Sequence, residues 1–155
     1  MRQRLGWLAI GALAGMLALA PWESRSEAAV GPGTIRVTNR EVKVTRVDIA
    51  PHGTSPGDTE IVRQQLFDRR NPSKPIGHAD LVCTFVDSKR LRACRATYVL
   101  PRGEIVAGGS VTYRQFYDLA VLGGTGVYDN ARGSVTVTRT HRRPVRDFVV
   151  VRLVG

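Results

Sequence analysis

Beyond residue 40 the chain repeats one pattern: short runs rich in Val, Ile, Thr and aromatics, cut by turn chemistry roughly every 8–12 residues. No stretch of useful length carries a helical period. The runs fall at 41–49, 59–67, 76–86, 91–100, 104–113, 117–122, 133–140 and 147–153, which predicts eight strands. The connections between them are mostly short, and short connections join antiparallel neighbours because parallel strands need long crossovers. Sixteen glycines and eight prolines supply the turns. An antiparallel meander of this size closes into a barrel or splits into a two-sheet sandwich. Closure removes exposed edges, and eight strands leave an interior able to hold one small ligand. Residues 41–155 are therefore expected to form an all-β, eight-stranded antiparallel closed barrel. Leu81-Val82, Phe85-Val86, Ile105-Val106-Ala107 and Phe148 to Val151 are apolar on both strand faces. One face would line the interior, and a second subunit is the expected cover for the other.

The first 29 residues have a different character. Arg2 and Arg4 precede an apolar stretch from Leu5 to Ala20, and the small pair Ala28-Ala29 follows a polar segment. That is the layout of a secretory signal peptide, with cleavage expected near Ala28-Ala29. The apolar run is shorter than the roughly 20 residues a spanning helix needs, so no membrane span is expected after processing. Residues 30–40, with Gly31-Pro32-Gly33, read as a spacer or edge segment. Export places Cys83 and Cys94 in an oxidising compartment, where pairing is the default. A hairpin over 81–100 with its turn centred on Ser88-Lys89 sets the two cysteines directly opposite each other. Opposed positions bring Cβ atoms to about 4.5–5.5 Å, from which modest adjustment reaches disulfide geometry. Two buried free thiols are the alternative.

The segment from Val121 to Gly133 carries a further pattern. A hydrophobic strand end runs into Gly123-Gly124-Thr125-Gly126, then an aromatic, then Ala131-Arg132-Gly133 and a new strand. This resembles the signature of dirigent proteins and the related allene oxide cyclases. Pro75-Ile76-Gly77 before the Cys83 strand and Leu100-Pro101-Arg102-Gly103-Glu104 resemble them too, and the likeness extends from about Val47 to Leu153. Read without the family, Gly123, Gly124 and Gly126 allow a sharp reversal at a barrel rim. A phosphate-cradling loop would need a following helix, and a strand follows instead. The resemblance implies an eight-stranded barrel with an apolar interior, commonly a trimer. Its members steer a cyclisation or orient radicals for stereoselective coupling.

Residue by residue, the resemblance places Asp48 at the acidic position of the cyclases, with Ser55 and Pro56 at the water-holding turn. Ala50 stands where the cyclases carry asparagine. An outward, solvated Asp48 is the competing reading. Asp80 sits in a largely apolar run, where a carboxylate inside a barrel would be expected to hold its proton more tightly and serve in proton transfer. Pairing with Arg63 or Arg95 is the structural alternative. Arg132 would either orient an oxygen-bearing substrate or tie the glycine turn to a carbonyl. Tyr113 and Asp118 are expected at the barrel rim.

Metal chemistry finds no support, since His52, His78 and His141 are scattered, and no cofactor is called for. The chain carries 23 Lys and Arg against 13 Asp and Glu, a formal charge of +10, which favours weak attraction to polyanions such as cell-wall polymers. The basic loop at 139–146 lacks the aromatics that specific nucleic-acid binding adds. The expected function is a secreted barrel that holds a small hydrophobic ligand and guides a cyclisation or coupling. A non-catalytic ligand-binding or envelope-interaction barrel is the alternative.

Overall fold

A computed structural model describes residues 32–49, 51–112, 115–140 and 146–154. The expected signal peptide at 1–29, Tyr113 and most of the basic loop at 139–146 lie outside the described residues. Eight strands pair in chain order and close on themselves: β1 (Gly33–Val47), β2 (Thr59–Asp68), β3 (Pro75–Phe85), β4 (Leu91–Leu100), β5 (Gly103–Thr112), β6 (Phe116–Gly124), β7 (Arg132–Arg139) and β8 (Asp147–Val154). Every pairing is antiparallel. The predicted barrel is what forms, and among the described residues the only helical element is a 3-10 turn at Gly126–Tyr128. No helix among them is long and apolar enough to cross a membrane.

The expected spacer at 30–40 is strand from Gly33 onward. Its residues close the cylinder, since Gly33 pairs with Leu153 and Thr38 with Phe148. The alternation Ile35, Val37, Asn39 against Thr34, Arg36, Thr38 fits one inward and one outward face. Glycine and proline at its start had hidden that period.

Period-two alternation fills the interior. On β2 the inward residues are Glu60, Val62, Gln64 and Leu66, and on β8 they are Asp147, Val149, Val151 and Leu153. Leu66, Leu81, Tyr98, Leu119, Val135 and Val149 are each no more than 5% exposed and belong to one packed cluster. The body of the barrel is thus lined by its own packed apolar side chains.

Chain direction fixes two ends. One end gathers the strand boundaries Val47, Thr59, Phe85, Leu91, Arg139 and Asp147. The other gathers Gly33, Asp68, Leu100, Gly124, Arg132 and Val154. At this second end the glycine element folds down as a cap. Gly126 adopts a φ of +62°, and a Cβ there would meet the Arg102 carbonyl oxygen at 2.5 Å. Only glycine allows so close an approach in that conformation.

Cys83 and Cys94 are directly opposed in the β3–β4 register and form the predicted disulfide, with Cα atoms 4.1 Å apart. The hairpin beyond them is held by Asp87, whose Oδ1 accepts the backbone N–H groups of Lys89, Arg90 and Leu91 at 2.9, 2.7 and 2.9 Å.

Candidate functional site

The first end of the barrel is polar where the body is not. Inward positions of β1, β2, β4, β7 and β8 place three carboxylates, Glu41, Glu60 and Asp147, among three arginines, Arg46, Arg92 and Arg139. A bulge between Glu41 and Lys43 inserts Val42 into β1, so Glu41, Val44 and Arg46 all turn inward despite their uneven spacing. Glu41, Arg46, Glu60, Arg92 and Arg139 line an open cavity of about 760 Å³, with Val44 and Val62 supplying its apolar wall, while Asp147 is buried and does not line it.

Each acid has a distinct environment. Arg46 donates to Glu60 Oε1 from Nε and Nη2 at 3.2 and 3.1 Å, and Arg92 closes on Oε2. The Arg92 guanidinium also lies over the Phe85 ring, 4.1 Å from its centroid, a cation–π arrangement that fixes its plane. Glu41 accepts from Arg139 Nη2 at 2.9 Å, yet burial outweighs that partner and raises its carboxyl above the ordinary range. Asp147 is 1% exposed. Its Oδ2 accepts from Asn39 Nδ2 at 3.2 Å, and its own N–H donates to Asn39 Oδ1 at 2.8 Å. Asn39 Nδ2 also donates to Gln64 at 2.9 Å. Asp147 Oδ1 has no hydrogen-bond partner among the described residues, with Arg139 Nε 3.9 Å away. Burial raises the Asp147 carboxyl too, against the pull of Asn39 and Arg139. Beneath it the Tyr98 hydroxyl is pushed upward, mainly by burial and secondarily by the Asp147 charge. Two carboxyls inclined to hold protons, next to fixed guanidinium donors, can give or take a proton and bind a developing oxyanion.

The residues singled out from sequence are dispersed. Asp48 stands at the rim of this same end, where its side chain is half-exposed, accepts the Gly53 N–H at 3.3 Å and faces His52 at 3.7 Å. It helps line a groove of about 230 Å³ that shares Arg46 and Arg92 with the cavity. Ser55 is buried in the β1–β2 loop. Its Oγ donates to the Ile49 carbonyl at 3.2 Å and to Asp58 Oδ1 at 3.1 Å, which ties the loop together, while Pro56 is exposed. Asp58, which the sequence did not single out, organises this loop through the N–H groups of Ile49 and Ser55, and those bonds hold its carboxyl below the ordinary value.

Asp80 faces outward, opposite to buried Ala79 and Leu81, and pairs with Arg63 at 2.8 Å. An interior proton role for it has no geometric basis, and the structural alternative describes it. Asp118 is also on the outer wall, where Thr136 Oγ1 donates to it at 2.5 Å. Arg132 donates to the Leu122 and Ala131 carbonyls at 3.2 and 2.9 Å, tying the glycine turn. It sits at the capped end, roughly 23 Å along β7 from Arg139. Gly123, Gly124 and Gly126 belong to that cap and lie far from the polar mouth. Among the described residues no group of three or more His, Cys, Asp or Glu is placed to hold a metal ion.

The acids and arginines at the mouth escaped sequence reasoning, although one signal was present. Along 147–154 the row Phe148, Val150, Arg152, Val154 contains an arginine, which marks it as outward and sends Asp147 inward with Val149 and Val151.

No family model and no curated protein matches the sequence. Solved structures do match in fold. A pyocyanin demethylase is 24% identical with a TM-score of 0.69, over 78% of this chain and 99% of that one. A Diels–Alderase from Streptomyces koyangensis is 18% identical with a TM-score of 0.63, over 80% and 70%. A pterocarpan synthase dirigent protein is 14% identical with a TM-score of 0.64, over 89% and 99%. The fold is that of the allene oxide cyclase and dirigent-like barrels, as the glycine signature implied.

Proposed function

We propose that this barrel binds a small molecule with an apolar body and a polarised oxygen at its polar mouth and guides a cyclisation or stereoselective coupling there. One observation carries the reading: two desolvated carboxyls, Glu41 and Asp147, share Arg139 at the edge of a cavity of about 760 Å³. The apolar body of the substrate would rest on Val44 and Val62. Its oxygen would take hydrogen bonds from the Arg46 or Arg92 guanidinium, and Glu41 would exchange a proton with it. Asp147, held by Asn39, would orient the Arg139 guanidinium and so position Glu41. Confinement of one reactive conformer supplies the remaining acceleration. The fold neighbours support this class of chemistry, since one is a Diels–Alderase and another a pterocarpan synthase dirigent protein. The protein would be secreted, and a copy of the same chain would cover the apolar outer wall, three barrels to an assembly.

The test is native mass spectrometry of the protein purified from its own host. The wild-type spectrum should carry a small-molecule adduct, and Val44→Trp, which fills the cavity from an exposed position, should lose it. A wild-type protein with no adduct and no saturable binding of naphthoate, an apolar aromatic carboxylate, would overturn the reading. A non-catalytic binding barrel is favoured by the two arginine partners of Glu60, which leave that acid fully engaged. Glu41→Gln separates the two, because a pure binder keeps the adduct unchanged while the enzyme accumulates unreacted substrate.

A further inference from the structure

We infer that the outer seam of β8, β1 and β2 is a binding site for a linear phosphate polymer, recognised by charge along its backbone. Six arginines lie along this seam: Arg36 and Arg40 on β1, Arg69 and Arg70 just past β2, Arg146 before β8, and Arg152 within it. The register sets them side by side, since Thr34 pairs with Arg152, Arg36 with Val150, and Thr38 with both Phe148 and Phe67.

Several arginines elsewhere in the barrel pair with acids, Arg46 and Arg92 with Glu60, Arg63 with Asp80, and Arg139 with Glu41, while Arg90, Arg95, Arg102 and Arg132 are scattered over separate strands and turns and form no comparable row. No salt bridge among the described residues engages any of the six on the seam. Three of them are held in place without losing their charge. Arg40 and Arg146 lie over the Phe67 ring at 5.5 and 5.8 Å, and Arg40 Nη2 donates to Gln65 Oε1 at 2.5 Å. Arg69 lies over Phe148 at 5.8 Å. Arg36, Arg69 and Arg70 line an open groove of about 650 Å³ with Thr34 and Asp68, and Asp68 Oδ1 is taken by the Arg70 backbone N–H at 2.7 Å.

The ligand class follows from this layout. Guanidinium forks match phosphate oxygens in pairs. Arg36 and Arg40 alone stand roughly 13 Å apart along β1, farther than one phosphate can bridge, so a chain of phosphates engages the row and a single ion does not. Phe67 is buried beneath two guanidiniums, and Phe148, 44% exposed, carries Arg69 over its ring, so six arginines on this seam face one partly open aromatic. Recognition is therefore chiefly of the charged backbone. The site stands apart from the polar mouth, whose own arginines are occupied by acids, so its test does not depend on the proposed reaction.

The experiment measures binding of fluorescently labelled inorganic polyphosphate to the purified protein across a salt series. Counterion release gives a slope of roughly 0.7–0.9 per phosphate engaged, so affinity should fall steeply as salt rises. The triple variant Arg36→Gln/Arg69→Gln/Arg70→Gln should bind at least about tenfold more weakly and flatten the slope by about 2. Arg90→Gln/Arg95→Gln/Arg102→Gln, three exposed arginines off the seam, should bind within about twofold of wild type and serves as the net-charge control. The proposal fails if the seam triple variant binds as wild type, or if the control triple weakens binding equally. It also fails if monophosphate competes at equal phosphate concentration, or if oligo(dT) of matched charge binds about tenfold more tightly, because stacking would then be the source of affinity.

Discussion

At the scale of single residues, the mouth separates acids that look alike in sequence. Glu60, saturated by two guanidiniums, is a charged strut, whereas Asp147 is buried with one oxygen unmatched. Burial raises Asp147 above its ordinary value of 3.8, and the sign of its effect on stability follows. Between the ordinary and the raised value the folded chain keeps a proton that the unfolded chain has released. Its contribution is therefore full below 3.8 and is lost as pH rises through the raised value. Asp147→Asn keeps an oxygen for Asn39 and abolishes the titration. The stability difference, variant minus wild type, should grow as pH is raised from 4 toward 7, read from urea midpoints at each pH. Parallel curves would mean that Asp147 stays ionised throughout and would remove it from the proton-handling scheme.

At the scale of elements, the β3–β4 hairpin is where sequence arithmetic reached atomic detail, because a short turn fixes the register and the register fixes which residues face each other. Cys83 and Cys94 follow from that alone. Reduction, or the double substitution Cys83→Ala/Cys94→Ala, should cost about 2–3 kcal/mol for so short a loop, measured as urea unfolding with and without reductant; no change would show the hairpin to be equally constrained without the bond. The same logic recovered all eight strands and their antiparallel order. It failed for β1, where the bulge at Glu41 breaks the period of two, so that Glu41, Val44 and Arg46 do not read as one face. It failed again on β3, where the apolar row Ala79, Leu81 and Cys83 set against His78, Asp80, Val82 and Thr84 already pointed Asp80 outward, and treating the run as apolar on both faces overrode that period. The site was less legible still. The family likeness pointed to the glycine turn and Arg132, which form the cap, and to Asp48 at the rim of the mouth, while the mouth itself is assembled from five strands whose acids and arginines are far apart in sequence.

At the scale of the whole molecule, the outside of the barrel has two chemistries. The β8–β1–β2 seam is arginine-rich, whereas the β3–β6 wall mixes small and apolar residues with Asp80, Arg95 and Asp118. A row around it runs Ile61, Val82, Arg95, Gly108 and Ala120 through successive strand pairs, and Leu122, 52% exposed, leans over Gly108. A chain with a formal charge of +10 repels its own copies, so an assembly would meet through the less basic wall and turn its arginine seams away from one another. A stable contact needs roughly 800 Å² from each partner, within reach of a face four strands wide. The expectation is a trimer by light scattering at micromolar concentration. Val82→Glu at the centre of the wall should dissociate it to monomers without altering the fold, since Val82 is 41% exposed in the single chain. Raising salt should leave the wild-type trimer intact or strengthen it, because what it screens is repulsion between seams. A wild-type protein that stays monomeric would leave the apolar wall exposed to water and would show that the second subunit expected from the sequence is absent.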